Sequence, residues 1–444
     1  MSGEDTRMIC CQHDHYAPTA TGDYGFEVDG ARIKYGRGVL KELGDAAAAL
    51  GINRAAVFID PFLRDFAFVD TALRSLTAAG IDSEIYTEIE IEPTDRSFKK
   101  AAAFAVDGKF DGFVSIGGGS TIDTAKAADV YSTYPAPFMD YVNAPIGGGK
   151  AIPGPLKPHI ACPTTSGTGS ECTGIAIFDY LEMNAKTGIR ARELRPTLGI
   201  IDPDVTRTLP SMIVACSGFD LLSHALESYT ALPYTQHPRM AAGVARPLSQ
   251  GANPYSDVGC MSALAILGEH MVRAVKDPAD DVARERMIFA AMLAGIAFGN
   301  AGCHLPHAMS YAVSGLVKDY RAPDYPTRDA MVPHGMSVIL NAPAVFRFTA
   351  PACPERHLDA AKQLGADTRG AAPADAGEIL STRLIQLMQA TEMPNGLGAV
   401  GYGASDLDAL TGGSFPQQGL IRNAPRETSQ AQLREIYAGA LRHW

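Results

Sequence analysis

Residues 110–131 read FDGFVSIGGGSTIDTAKAADVY. An apolar run ends at Ile116, the three glycines Gly117, Gly118 and Gly119 follow, and a helical pattern opens at Ser120. Strand, glycine turn and helix in that order begin an α/β unit of a parallel sheet. Ser120 and Asp123 form an S-x-x-D pattern, which predicts a capping box at the helix start. Glycines let the backbone come close to an anion, and free N–H groups and the helix dipole favour negative charge there. A dinucleotide pyrophosphate fits such a turn; the spacing is not G-x-G-x-x-G, and a tight turn alone also accounts for the glycines.

The flanking segments continue the alternation. Upstream, GFEVDGARIKYGRG (25–38) alternates apolar and polar residues like a strand and leads into the helix-like VLKELGDAAAALG (39–51). AAVFI (55–59) reads as a short buried strand ending in Asp60 and Pro61, followed by helical TALRSLTAAG (71–80) and a strand, SEIYTEI (83–89). Downstream, PHIACPTTSGTGSECTGIAIFDY (158–180) sets Thr164, Thr165, Ser166, Thr168 and Ser170, with two glycines, between two strand-like runs. Hydroxyls and backbone amides at such a turn can hold a phosphate or the edge of a nicotinamide. Two small-residue turns feeding one sheet predict a cofactor cleft. After residue 205 strand-like runs become sparse, and helical patterns such as SALAILGEHMVRAV (262–275) and RERMIFAAMLAGIAF (284–298) take over. The expected division is an α/β domain over 1–205 and a helical domain over 206–444. A Pro- and Gly-dense stretch, residues 231–257, is either a lid over the cleft or a plain connection.

In SGFDLLSHALESY (217–229), Asp220 and His224 stand four residues apart and share a helix face. GNAGCHLPHAMSYAVSG (299–315) adds His304 and His307, and MVPHGMSV (331–338) adds His334. One carboxylate with imidazoles suits Fe(II), Zn(II), Mn(II) or Ni(II) and leaves room for a substrate oxygen. Asp220, His224, His307 and His334 are read as the ligands of one catalytic divalent metal. Against this stands the ordinary fate of a histidine at the surface or satisfied in a core.

At 444 residues and 46% hydrophobic, the chain can bury two cores. A net charge of -11, from 38 basic against 49 acidic residues, argues against nucleic acid as a partner. No run approaches the roughly 18 apolar residues of a membrane span, so no membrane partner is expected. The opening MSGEDTRMICC has neither a signal core nor transit-peptide character, which makes a cytoplasmic address the default. Eight cysteines without C-x-x-C spacing indicate a reduced compartment and no disulfide framework. Cys10, Cys11, His13 and His15 are either a terminal metal clip or part of a frayed terminus.

With GGGSTIDTAK, TTSGTGSE, DLLSHALESY, the histidine run and PHG in this order, the chain resembles the iron-containing (group III) alcohol dehydrogenase family over about residues 15–440. The resemblance implies a Rossmann-like parallel-sheet domain followed by a helical metal-binding domain, the dehydroquinate synthase-like architecture, with NAD between them. It places the ligands on Asp220, His224, His307 and His334 and the cofactor loops on Gly117 to Ser120 and Thr164 to Ser170. Asp60 falls where the family sets a carboxylate against the adenosine ribose, which favours NAD over NADP. At the family's proton-relay position, four residues after His307, stands Tyr311, and His304 is the other relay candidate. KDYRAPDYPTRDAM (318–331) lengthens the spacing to His334 and is read as a loop beside the cleft.

Within the family, PTDRSF (93–98), DYVNAPIG (140–147), ARPLSQGANPYSD (245–257) and PERHLDAAKQLGADTR (354–369) point to the branch that passes hydride from a hydroxy acid such as 4-hydroxybutyrate to 2-oxoglutarate through bound NAD. An ordinary NAD(H)-dependent alcohol dehydrogenase with freely exchanging cofactor, acting on alcohols and aldehydes, is the close alternative. A lyase of the same architecture is disfavoured because its family has a glutamate where Asp220 stands, and an inert metal-binding protein because every ligand position is intact. Fe(II) is the implied metal, with Zn(II) able to compete. Arg246 and Lys318 are the candidate cations for substrate carboxylates. An isologous homodimer is the default assembly.

Overall fold

The computed structural model describes residues 15–183, 185–325 and 329–444. Six strands make one parallel sheet: β1 (Ile33–Tyr35), β2 (Arg54–Ile59), β3 (Asp82–Tyr86), β4 (Gly112–Gly117), β5 (His159–Pro163) and β8 (Leu198–Ile201), in the order β1-β8-β5-β4-β2-β3. Every residue of β4 and β5 is buried, as continuous apolar runs in a doubly covered sheet require. Helices α1 (Leu43–Ala49) and α2 (Ala67–Ala78) cover one face, and α3 (Asp95–Gly108) and α4 (Gly119–Thr133) cover the other. The remaining strands, β6 (Ile175–Tyr180) and β7 (Ala185–Arg190), form a separate antiparallel ribbon. The Thr164–Ser170 turn thus leaves the sheet from β5 but leads into this ribbon, where the sequence suggested a return to the same sheet.

From β2 the chain steps outward to β3, and from β4 it steps the other way to β5. This switch of direction opens a crevice at the carboxyl ends of β2 and β4. Register keeps the neighbouring ends level, with Ile59 opposite Ile116 and Gly117 opposite Pro163. Asp60, Gly118 and Thr164 therefore emerge side by side.

The second half is helical: α5 (Ser211–Thr230), α6 (Pro254–Lys276), α7 (Asp281–Ala301), α8 (Leu305–Gly315), α9 (His334–Ile339), α10 (Ala342–Thr349), α11 (Pro354–Gln363), α12 (Ala376–Ala390), α13 (Leu407–Ser414), α14 (Gln418–Ile421) and α15 (Gln430–Ala440). They share one apolar core running from Val214 to Ala440. Helix α6, at 23 residues, is long and apolar enough to cross a membrane, which the sequence reading passed over. It packs against α5 and α7 within that core.

The stretch 25–38 is a strand only over Ile33–Tyr35. Its earlier residues bond to the second half instead: Glu27 N donates to Gln250 Oε1 at 2.8 Å and Asp29 N to Asn300 Oδ1 at 2.8 Å. Committed there, they are unavailable to a sheet ladder. Residues 231–253 meet the same segment, with Arg246 paired to Asp23 at 2.9 Å and Tyr234 stacked on Tyr16 at 5.8 Å. The expected division at 205 falls in a 3-10 turn, Pro203–Thr208, between β8 and α5, but residues 16–29 dock on the helical half. Of the terminal Cys–His group, Cys10, Cys11 and His13 lie outside the described residues. The six described cysteines are all buried and unpaired.

Beneath this junction, Arg356 forms two bonds to Asp257, at 2.5 and 3.0 Å, donates from Nε to the Tyr229 carbonyl at 2.6 Å, and Tyr16 donates to the same aspartate at 2.5 Å. Both charged side chains are nearly inaccessible, at 2% and 5% exposure. Removing one partner of such a pair leaves a buried, uncompensated charge. Asp257→Ala should therefore lower unfolding free energy by about 3–5 kcal/mol in denaturant titration, and a loss under about 1 kcal/mol would show that the pair does not brace the junction.

Candidate metal and cofactor site

Helix α5 carries Asp220, His224 and Glu227 at i, i+4 and i+7, one stripe along a helix that is otherwise packed by apolar residues. All three are buried. Helix α8 follows Gly302 and the His304 N-cap, carries Pro306 in its first turn, and there brings His307 over this stripe. Helix α9 starts at His334 directly after Pro333. Gly335 makes that approach possible: a Cβ there would lie 1.9 Å from the Cys216 carbonyl oxygen on α5.

The three helices converge on one oxygen. Asp220 Oδ1 lies 3.7 Å from His224 Nε2, 3.4 Å from His307 Nε2 and 3.5 Å from His334 Nε2. Asp220 Oδ1 and His307 Nε2 are both buried with no hydrogen-bond partner among the described residues. A carboxylate oxygen and three imidazole nitrogens gathered around one point, two of them buried without a hydrogen-bond partner, are what a cation completes, so the four side chains fit a divalent metal. The next layer supports this: His307 Nδ1 donates to Glu227 Oε1 at 2.6 Å, which turns the Nε2 lone pair toward Asp220. Phe298 stacks on the His224 ring at 4.0 Å and holds its plane.

The electrostatics follow from burial and proximity. Burial would raise the Asp220 carboxyl, but His224, His334 and His307 hold it well below the usual range. Burial pushes His224 down to about 4 against the pull of Asp220. Burial also lowers His334, whereas at His307 burial is outweighed by Cys303, Glu227 and Asp220, which raise that imidazole, so a metal would bind Nε2 with release of its proton. Cys303 lies within 4.8 Å of the His224 and His307 donor atoms and is a possible fifth donor that sequence reading missed. Burial raises its thiol; the better-gathered set is the carboxylate and imidazoles, because all three imidazole Nε2 atoms lie within 3.7 Å of Asp220 Oδ1.

A cavity of about 410 Å³ joins this cluster to the sheet edge. Asp60, Gly118, Gly119, Ser120, Asp123, Thr164, Thr165, Thr168 and Ser170 line one end, and Asp220, His224, His307, His334 and Tyr311 the other. Gly117 and Ser166 do not reach it: Gly117 is the last ladder residue of β4, its carbonyl bonded to Thr164 N, and Ser166 is buried. The predicted capping box is absent as well. Helix α4 starts one residue early, behind an extended Gly118 with no side-chain cap. Asp123 turns instead to the second loop and the ribbon, accepting from Ser170 Oγ at 2.5 Å and Ile177 N at 2.9 Å. Uncapped N–H groups are thereby left to the cavity. The second loop closes on the helical half at Gly169, φ 59°, where a Cβ would lie 2.5 Å from the Gly295 Cα. Asp60 accepts from Phe62 N at 2.9 Å, so it is a turn residue and a lining residue at once, and burial raises its carboxyl.

Of the two relay candidates only Tyr311 lines the cavity. His304 is fully buried, its Nδ1 accepting from Leu305 N at 2.7 Å and its Nε2 against Thr230 Oγ1 at 3.0 Å, and burial lowers it to about 4. It is a neutral ring capping α8, with no path to a substrate. Burial raises the Tyr311 phenol, opposed by the nearby His307, Arg190 and Lys186. Neither expected substrate cation lines the cavity. Arg246 is paired with Asp23, and Lys318 with Asp406 at 2.8 Å. In their place the ribbon contributes Lys186 and Arg190, four residues apart on one face of β7, while Glu92 reaches in to pair with Lys186 at 2.6 Å. Glu227 had a legible signal, its i+7 spacing from Asp220. The β7 cations had none, since charges at both ends of a short strand look solvent-facing.

The family model described as iron-containing alcohol dehydrogenase matches residues 30–203, and the model of the Fe-containing alcohol dehydrogenase family, C-terminal, matches residues 247–441. The chain is 47% identical over 443 residues to the mitochondrial hydroxyacid-oxoacid transhydrogenase of Bos taurus, covering 98% of this chain and 95% of the relative. With the Homo sapiens protein of the same designation it shares 46% identity over 443 residues, with the same coverage. Among solved structures, 1,3-propanediol oxidoreductase superposes with a TM-score of 0.82 at 26% identity, covering 94% of this chain and 100% of that one. The mitochondrial designation of these relatives overturns the cytoplasmic address expected above. Composition of a folded body carries no address, because sorting is read from short targeting segments.

If the cluster holds a metal, elemental analysis should find about one divalent ion per chain, and His307→Ala should lose it while the circular dichroism spectrum persists. Glu227→Gln should keep the ion but bind it about 10–100-fold more weakly in a chelator competition. Unchanged metal content in the His307 variant would remove that residue from the ligand set.

Proposed function

The chain belongs to the iron-containing alcohol dehydrogenase family, and on that footing we propose that it carries a hydride from 4-hydroxybutyrate, or a similar hydroxy acid, to 2-oxoglutarate through an NAD that stays bound. The identity to proteins designated hydroxyacid-oxoacid transhydrogenase over 98% of the chain motivates the choice of a hydroxy acid and an oxo acid. The observation that carries the reading is one cavity joining the glycine and threonine loops to the Asp220 cluster.

In this reading residues 1–205 hold the dinucleotide and residues 206–444 the metal, in a homodimer. A divalent ion, iron with zinc able to compete, supplies Lewis acidity toward a hydroxyl or carbonyl oxygen, and the nicotinamide supplies the carbon that takes and returns hydride. Asp220, His224, His307 and His334 bind the ion, and Glu227 fixes the His307 ring. Gly118, Gly119 and the uncapped start of α4 receive the pyrophosphate. Asp60 faces the adenosine ribose and disfavours a 2'-phosphate. Tyr311, whose phenol stays protonated at neutral pH, donates a hydrogen bond to the substrate oxygen and holds its reacting carbon in line.

Tyr311→Phe should lower turnover by about ten-fold or more. Unchanged turnover with altered thermal stability would make it a packing residue. The reaction itself is tested by mixing purified protein with 4-hydroxybutyrate and 2-oxoglutarate in buffer free of added cofactor and following 2-hydroxyglutarate. Formation of 2-hydroxyglutarate and the semialdehyde in equal amounts, with ping-pong kinetics, is expected. Product that appears only with added NAD and NADH, and tracks their concentration, would identify an ordinary dehydrogenase with exchanging cofactor.

A further inference from the structure

We propose that Arg190 anchors the carboxylate of both substrates, a role that rests on the hydroxy-acid reading above and names the residue that selects acids over plain alcohols. Apart from the histidine cluster, the cations lining the described cavity are Lys186 and Arg190. Lys186 is already neutralised, with Glu92 at 2.6 Å and Asp179 at 3.0 Å. Arg190 has no ion pair or hydrogen bond to its guanidinium among the described residues, and its Nε is buried without an acceptor. A buried N–H without a partner is unfavourable, and the planar guanidinium fork matches a carboxylate through two parallel bonds.

Position supports the same role. Arg190 ends β7, the ribbon strand that packs on α8, and α8 carries both His307 and Tyr311. Its charge is felt at the Tyr311 hydroxyl. The cavity therefore offers a carboxylate–imidazole cluster for an oxygen and, on the β7 wall, an unpaired guanidinium for an anion. The two substrates share one spacing. In 4-hydroxybutyrate two methylenes separate the reacting carbon from the carboxylate, and in 2-oxoglutarate two methylenes separate the keto carbon from the distal carboxylate. One guanidinium can thus serve both acids in turn, as alternation in a single site requires.

The test compares wild type with Arg190→Gln and Arg190→Lys for kcat/KM on 4-hydroxybutyrate and on 1-butanol, and for equilibrium binding of glutarate, a non-reacting dicarboxylate. The ratio of the two kcat/KM values should fall by about 100-fold in Arg190→Gln, mostly through KM, with partial recovery in Arg190→Lys. Glutarate binding should weaken in parallel. An unchanged ratio in both variants overturns the anchor and leaves the hydroxy-acid reading intact. If wild type turns over no hydroxy acid, that reading fails by itself, and the anchor is then decided by glutarate: binding lost in the variants retains it, whereas equal binding or none to any of the three overturns it. Should the glutamine variant not fold, the lysine variant alone decides, since an ammonium keeps the charge but loses the paired bonds.

Discussion

Asp220 is a carboxylate buried near the middle of a long core helix, and it is tolerable there only because three imidazoles from three helices close around it. Much of the helical half can be understood as serving that convergence. Helix α8 must begin where it does to bring His307 in from above, and Glu227, two turns along from Asp220, fixes the ring from behind. Helix α9 must come close enough that only a glycine fits at 335. A carboxylate that was merely structural would be expected to keep a hydrogen-bond donor, yet Oδ1 of Asp220 has none among the described residues.

The sheet contributes a different constraint. Parallel strands bring their carboxyl ends to one edge, and the reversal between β2 and β4 opens that edge at Asp60 and Gly118. Helix α4 leaves its first N–H groups uncapped at the crevice, while Asp123 ties its first turn to the second loop. The two halves meet across the cavity, sealed from one side by the β6–β7 ribbon.

That ribbon gives the cavity its charge pattern. Lys186 is buried and paired, and its partner Glu92 sits in the left-handed region at φ 55°, an uncommon conformation for a residue with a side chain. Burial opposes charge on Lys186, but Glu92 and Asp179 more than offset it and keep the ammonium protonated. Strain of this kind is found where surrounding contacts over-determine a residue: burial would raise the Glu92 carboxyl, but Lys186 and His334 hold it below the usual range.

What the sequence determined by itself is what short periodicities encode. The strand–glycine–helix unit at 110–131, the Asp220–His224 pair and the glycine–threonine turn are legible because their spacing of one turn or one strand is the same in the chain and in the fold. The order of motifs also carried the family, since the loops and histidines occur in one sequence along the chain. Tertiary structure alone decided which charges face the cavity. Arg246 and Lys318 stood near the site's motifs in sequence, but each took the nearest carboxylate in space, Asp23 and Asp406, from segments 223 and 88 residues away. His304, three residues before His307, was folded into the buried core and lost its access to a substrate. Arg190 and Lys186 came from a strand with no sequence mark of function. The reason is physical: a side chain's charge state and reach are set by the nearest counter-charge and by desolvation, and both depend on which distant segments pack together.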